Sequence, residues 1–188
     1  MRHRIFIAIN LPENVKKKLA DYQSNWPELP IRWTKKENLH ITLMFLGYLS
    51  DEELLEICKI TKEVVSRNSA FTINLKRICY GPPKKMPPRM VWAEGEKSTE
   101  LGKLQKDLEN SLSASSVGLE SEARPYTSHI TLGRIKVWEF RQIEPEERPD
   151  INEEINLSFE VNSIEIMESE LKRGGPNYTI LESCPLKS

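Results

Sequence analysis

A chain of 188 residues with 38% hydrophobic and 29% charged side chains can bury one sizeable core and is too apolar to be disordered. Its 27 basic and 28 acidic residues leave a net charge of −1, which excludes the strongly basic footprint of a duplex-binding protein. Any contact with nucleic acid is expected to be local, at an end or over a few nucleotides.

In chain order, residues 4–9 alternate as a first strand. Pro12 and Glu13 open a helix with Val15, Leu19 and Tyr22 on one face and Lys16, Lys17 and Lys18 elsewhere, and Pro27 and Pro30 end it. Ile31-Arg32-Trp33 is a short extended piece, and 39–46 read as a strand. Ser50 with Glu53 is a capping-box signature for a helix over 51–67, where Leu54, Cys58, Thr61 and Val65 recur at helical spacing. Residues 71–79 alternate as a strand, and a proline-rich loop at 81–88 leads to another at 90–93. Leu101, Leu104, Leu108 and Leu112 mark a third amphipathic helix behind Ser98 as N-cap. A Ser/Gly loop precedes a strand at 128–135, and an acidic loop follows it. Strands near 155–167 and 178–182 close the chain, separated by a turn in which Gly174 and Gly175 supply positive φ. Helices are too few for a doubly wound parallel sheet, so the order predicts an α+β fold with mainly antiparallel sheets.

Charge and cysteine usage narrow the setting. Residues 76–89 carry Lys76, Arg77, Lys84, Lys85 and Arg89 with no acid, a candidate flank for a phosphate site. Residues 144–154 carry six acids against Arg148 and read as a solvated loop. Cys58, Cys79 and Cys184 are odd in number and form no Cys-x-x-Cys pair, which argues against a disulfide framework and a zinc knuckle. The apolar N-terminal run is too short for a signal peptide, and no stretch approaches the roughly 18 apolar residues of a membrane span. These features predict a cytoplasmic, reducing compartment and no membrane partner.

Two of the three histidines sit in one repeated tetrapeptide, His40-Ile41-Thr42-Leu43 and His129-Ile130-Thr131-Leu132. Both copies lie in β-prone runs, so each histidine shares a face with its threonine while the Ile and Leu face the other way. A lone strand histidine is more often structural, but the same hydroxyl at the same offset twice over favours function. The repeat also suggests two related lobes, each presenting one copy to a shared site. No linker-like stretch divides them, so residues 1–188 are read as one compact unit. A metal site is the weaker reading: catalytic zinc commonly takes three protein ligands, and neither copy has an Asp, Glu or Cys at ligand-like spacing. Paired acid and base fits better, because an imidazole with a pKa near ~6.5 can stand protonated or neutral close to neutrality. The threonine hydroxyls are short, stiff donors suited to non-bridging phosphate oxygens.

Several segments together resemble one family: Arg4 to Ala8, Leu39 to Leu43 with Phe45-Leu46-Gly47, Pro88 to Trp92, Arg124-Pro125-Tyr126 through Arg134, Glu168 to Leu171, and Gly174 to Tyr178. They look like the landmarks of RNA 2′,3′-cyclic phosphodiesterases, also called 2′-5′ RNA ligases, of the two-histidine phosphoesterase superfamily. Departures are Ser128, where proline commonly precedes the second histidine, Gly133, where alanine is usual, and a shortened acidic loop after Trp138. The resemblance implies two pseudo-symmetric lobes, each a mainly antiparallel sheet with helices on its outer face, and a site between them. It implies opening of a 2′,3′-cyclic phosphate to a 2′-phosphate without metal or other cofactor. His40 would be the proton donor, His129 the proton acceptor, and Thr42 and Thr131 would hold the phosphate. Run backwards with a 5′-hydroxyl, the same groups would make a 2′-5′ linkage.

Partners implied are RNA ends or nucleotides with a cyclic phosphate, acted on by a monomer. Tyr126 and Arg134 are candidates for stacking on a base or neutralising phosphate. Trp33, Phe45 and Trp92 read as core; Arg4 and His3 receive no role. Two alternatives stay open: the same chemistry on 2′-5′ oligonucleotides or other nucleotide cyclic phosphates, and a non-catalytic module that binds RNA ends.

Overall fold

The computed structural model describes residues 2–117, 119 and 125–188. Arg124 and part of the Ser/Gly loop lie outside the described residues. In chain order the elements are β1 (His3–Asn10), α1 (Glu13–Tyr22), β2 (Ile31–Trp33), β3 (His40–Leu49), α2 (Asp51–Ser66), β4 (Phe71–Gly81) and β5 (Met90–Gly95). Then come α3 (Thr99–Ser113), β6 (Ile130–Ile135), α4 (Val137–Arg141), β7 (Asn152–Val161), β8 (Ser163–Lys172) and β9 (Gly175–Pro185). The strands form one sheet in the order β7-β4-β5-β6-β3-β1-β8-β9, with β2 paired to β6. Every strand pair is antiparallel. The α+β fold is thus the one the element order implied.

Two groups, β7-β4-β5-β6 with β2 and β3-β1-β8-β9, meet at a narrow seam. β6 and β3 share a single pair, Ile41 opposite Ile130, whereas every neighbouring pair of strands holds a longer ladder. Each group puts one face against the helices. Ile41, Leu43, Met44, Ile130 and Leu132 join the helix leucines Leu101, Leu104, Leu108 and Leu112 in the main core. Opposite that core, Phe6, Ala8 and Met167 form a small second cluster, closed by Tyr178. His40 of the first His-x-Thr lies against this second cluster, 5.1 Å from Phe6 and 5.3 Å from Tyr178 between ring centroids.

Local chemistry explains most boundaries. Ser50 accepts from the Glu53 amide while the Glu53 carboxylate accepts from the Ser50 amide, the reciprocal cap expected at the start of α2. The Ser98 hydroxyl accepts from the Leu101 amide at the start of α3. Gly175 adopts φ +106 at the β8–β9 hairpin, where a Cβ would strain the backbone. Gly133 is required for packing: a methyl there would stand 2.6 Å from Ile31 Cδ1 and 2.9 Å from Trp33 Cε3, so these two side chains occupy the space an alanine would need.

The stretch expected near 155–167 as one strand is two. β7 pairs with β4 in one group and β8 with β1 and β9 in the other, with Asn162 between them. Burial changes parity there: Ile155, Leu157, Phe159 and Val161 are buried before Asn162, Ile164 and Ile166 after it. A one-residue shift exchanges the faces of a strand, and here it marks the crossing between groups. The acidic loop is also shorter than expected, because α4 and the start of β7 take its two ends.

Candidate active site

The seam pair builds the site. With Ile41 facing Ile130 and both turned to the core, His40 and Thr42 on β3, Thr131 on β6 and His129 just before β6 point to the opposite face, side by side. The rings are near enough for each other's charge to matter, since His129 lowers the affinity of His40 for a proton. The structure therefore brings together all four residues singled out by the repeat.

Both imidazoles are held in the same tautomer. His40 Nδ1–H donates to the Asn38 carbonyl at 2.7 Å, and His129 Nδ1–H donates to the Thr127 carbonyl at 2.9 Å. A carbonyl only accepts, so each Nδ1 carries the hydrogen and each Nε2 is left to exchange protons. His40 Nε2 lies 2.9 Å from Thr42 Oγ1, accepting from it when neutral and donating to it when protonated. Nε2 of His129 has no hydrogen-bond partner among the described residues.

Aromatic rings fix both imidazoles. His129 stacks on Trp92 with centroids 3.8 Å apart and planes 18° from parallel. His40 is wedged between Phe6, at 5.1 Å, and the edge of Tyr178, at 5.3 Å. Asn38 ties this arrangement together: its carbonyl holds His40, and its side-chain Nδ2 donates to the Pro176 carbonyl at 2.8 Å, anchoring the hairpin that carries Tyr178. None of Phe6, Trp92 or Tyr178 had been singled out as a site residue. They reach the histidines through sheet pairing, which leaves no local signal in the sequence.

Burial lowers the pKa of both histidines. For His40 desolvation dominates, opposed by the Asn38 carbonyl and reinforced by the charges of Lys16 and His129. For His129 desolvation again leads, opposed by the Thr127 carbonyl; Arg134 lowers it further and Glu94 raises it. Lys16 was assigned to the polar side of α1, yet it is buried, with Nζ donating to the Glu37 carbonyl at 3.0 Å.

The other candidates separate. Arg134 is exposed on the site face, its Nη1 3.8 Å from Met90 Sδ, with no carboxylate partner among the described residues. Arg4, given no role beforehand, is exposed and paired opposite Tyr48 on β3; its charge and that of Arg134 both oppose the burial that raises the Tyr178 pKa. Tyr126 is a strut more than an open platform: its hydroxyl donates to the Thr42 carbonyl at 3.0 Å, joining the chain before β6 to β3. Lys76 and Arg77 of the basic stretch are paired with Glu96 and Glu94. His3 bridges Glu168 and Asp51, at the end of β1 far from His40.

Phe45 corrects the core assignment. It is 63% exposed, because β3 does not alternate throughout. Leu43 is skipped between the pairs Ala8–Thr42 and Ile7–Met44, and Leu46 between Phe6–Phe45 and Ile5–Gly47. These β-bulges put His40, Thr42, Phe45 and Tyr48 on one face. β6 repeats the device: Leu132 is skipped between Trp92–Thr131 and Val91–Gly133, putting His129, Thr131 and Arg134 on one face. Phe45 and Arg134 thus occupy equivalent positions in the two halves.

Such a site, two imidazoles and two hydroxyls gathered from a repeated strand motif, defines a phosphoesterase of the two-histidine type. The chain belongs to the LigT-like phosphoesterase family, whose model matches residues 9–92 and 94–178, one span for each His-x-Thr. It is 31% identical over 180 residues to the RNA 2′,3′-cyclic phosphodiesterase of Methanocaldococcus jannaschii, covering 95% of this chain and 98% of that one. The Thermotoga maritima protein of the same name is 31% identical over 186 residues, covering 96% and 94%. Among solved structures, a Thermus thermophilus protein superposes with a TM-score of 0.83 at 28% identity over 97% of both chains. E. coli LigT complexed with 3′-AMP superposes with a TM-score of 0.80 at 26% identity over 100% of both. Among the described residues no helix is long and apolar enough to cross a membrane, and no three His, Cys, Asp or Glu side chains are grouped to hold a metal ion.

Proposed function

We propose that the chain hydrolyses RNA 2′,3′-cyclic phosphate ends to 2′-phosphates by acid–base catalysis between its two histidines. The observation that carries this reading is the pairing of the two His-x-Thr motifs across the Ile41–Ile130 seam with both Nε2 atoms left for proton transfer. In the forward reaction His129 Nε2 takes a proton from water as its oxygen bonds to phosphorus. The bond from phosphorus to the 3′ oxygen breaks, and His40 Nε2 delivers the proton that oxygen needs. Thr42 and Thr131 donate to the non-bridging oxygens, and Arg134 offsets their charge. Burial holds both histidines below the ordinary pKa; Lys16 makes the His40 imidazolium readier to give up its proton, while at His129 Arg134 outweighs Glu94, so the division of roles follows the motif order of the family resemblance. With a 5′-hydroxyl in place of water each histidine keeps its role: His129 takes the hydroxyl's proton, His40 protonates the departing 3′ oxygen, and a 2′-5′ linkage forms; the roles exchange only when the 3′-hydroxyl attacks that linkage to reclose the ring.

The test is multiple-turnover incubation with an RNA ending in a cyclic phosphate, in excess chelator, with the product identified. Full activity and a 2′-phosphate product are expected. His40→Ala and His129→Ala should each lose about 10²–10⁴ in rate, the usual worth of a placed acid or base. Activity that vanishes on chelation and returns with zinc would overturn the metal-free reaction. A variant near the wild-type rate would remove that histidine from it. Binding without turnover would leave a recognition module.

A further inference from the structure

Met90 opens β5 with its side chain on the site face, since Val91 and Ala93 belong to the main core and Met90 pairs with Arg134 of β6. Its sulfur touches two groups of the site: Thr131 Oγ1 is 3.9 Å away and Arg134 Nη1 3.8 Å. A thioether is a weak acceptor, so both donors stay available to a ligand. Met90 is half-buried, whereas Met44 and Met167 are buried and Met86, in the loop before β5, is exposed. The cysteines are poor targets for an oxidant. Burial raises the pKa of Cys58, Cys79 and Cys184, which keeps them as thiols rather than reactive thiolates.

We propose that Met90 is a redox modification site, where oxidation to the sulfoxide takes Thr131 and Arg134 away from the phosphate. The oxidant is hydrogen peroxide. The Met90 sulfur attacks one peroxide oxygen, and an S–O bond forms as the O–O bond breaks. The other oxygen leaves as water with both hydrogens; sulfur is oxidised and peroxide reduced by one electron pair. Sulfoxide oxygen is a polar acceptor where the thioether was apolar. It is carried on a sulfur 3.8–3.9 Å from both donors, close enough to accept ordinary hydrogen bonds from each. The oxidised side chain thus competes with substrate for the hydroxyl and the guanidinium, and methionine sulfoxide reductases restore the thioether. The proposal rests on the reading above, in which those two groups receive the phosphate.

The experiment treats the native protein, Met90→Leu and Met86→Leu with hydrogen peroxide and maps oxygen uptake at each methionine by peptide mass. Turnover of a cyclic phosphate and binding of a nucleotide 2′-phosphate are compared before and after treatment. The native protein and Met86→Leu should each lose at least about tenfold in kcat/KM and in affinity, the worth of one hydrogen bond to a charged group. Methionine sulfoxide reductase with dithiothreitol should restore both, and dithiothreitol alone neither. Met90→Leu, compared with its own untreated sample, should not change. The same loss in Met90→Leu, or recovery with dithiothreitol alone, assigns the effect to another residue and overturns the proposal. So does a Met90 that resists peroxide while Met86 is oxidised. Affinity lost on oxidation of a protein that never turns over refutes the proposed reaction and leaves the modification site standing. Turnover and affinity that survive complete oxidation of Met90 do the reverse, and a protein that neither turns over nor binds overturns both.

Discussion

Gly81→Ala tests whether the ring beneath His129 is a working part of the site. Gly81 faces Trp92, and a methyl at this position would stand 2.1 Å from Cδ2, 2.4 Å from Cε2 and 2.6 Å from Cε3 of the indole. Ordinary contact begins at 3.4 Å, so either the ring or the β4–β5 backbone must move by the shortfall from 2.1 Å, about 1.3 Å. Trp92 is buried and His129 stacks on it at 3.8 Å, so a displacement of the indole passes to the imidazole. Overpacking of this kind costs about 1–3 kcal/mol. For a chain of this length that lowers Tm by roughly 2–12 °C, at about 2–4 °C per kcal/mol. A misplacement near 1 Å at a reacting group costs about 10²-fold, so kcat/KM should fall by one to two decades. The limb of the pH–rate profile assigned to His129 should move as well, since the stacked ring contributes to its burial. Thermal unfolding, steady-state kinetics on a cyclic phosphate and the pH profile read the three effects. A variant that loses stability yet keeps its kcat/KM and profile would show that Trp92 only fills space.

Two further outcomes follow from contacts at the other histidine. Lys16→Met removes a charge that lowers the His40 pKa, so the imidazolium should persist to higher pH and the alkaline fall of the rate should move upward; the exposed Lys18→Met is the control, and a profile unmoved by Lys16→Met refutes the coupling. Tyr126→Phe deletes the bond to the Thr42 carbonyl, which should cost about 0.5–1.5 kcal/mol in denaturant titrations and lower kcat/KM several-fold; unchanged stability and rate would show that the strut carries nothing.

The four central residues were legible because the chemistry is written twice. A His-x-Thr recurring in two apolar runs fixes which side chains share a face, whatever the rest of the fold does. The helix caps at Ser50 and Ser98 were legible for the same reason, being interactions within four residues. What failed was parity. Simple alternation along β3 sends Phe45 to the core, and bulges at Leu43 and Leu46 reverse that. Continuous β-propensity through 155–167 hid the step at Asn162. Burial of Lys16 was hidden too, because a lysine beside two others reads as a solvated face, and only the carbonyl of Glu37 explains its position. The supports Phe6, Trp92 and Tyr178 depend on strands distant in sequence, and no window of residues contains them together with their histidine.

The near-symmetry of the two halves also sets what the surroundings must do. Each half offers the same histidine, the same threonine, the same Nδ1 lock to a carbonyl two residues earlier, and the same skipped leucine after the threonine. A symmetric pair of imidazoles has no preferred direction of proton transfer, so the direction must come from residues the halves do not share. Those differ in pairs: Ala8 beside Thr42 against Trp92 beside Thr131, and Phe45 against Arg134. To these β1 adds Arg4 opposite Tyr48, and α1 adds Lys16. Arg134 and Glu94 act on His129, and Lys16 on His40. When Arg134 engages a phosphate its own charge is offset, and the pull of Glu94 on a His129 proton is left less opposed. Substrate binding would then raise the basicity of His129 while Lys16 continues to weaken the hold of His40 on its proton. A pH–rate profile whose His129 limb moves up on saturation, with the His40 limb held below its ordinary position, is the signature; Arg134→Gln should abolish the movement of the first limb and leave the second in place.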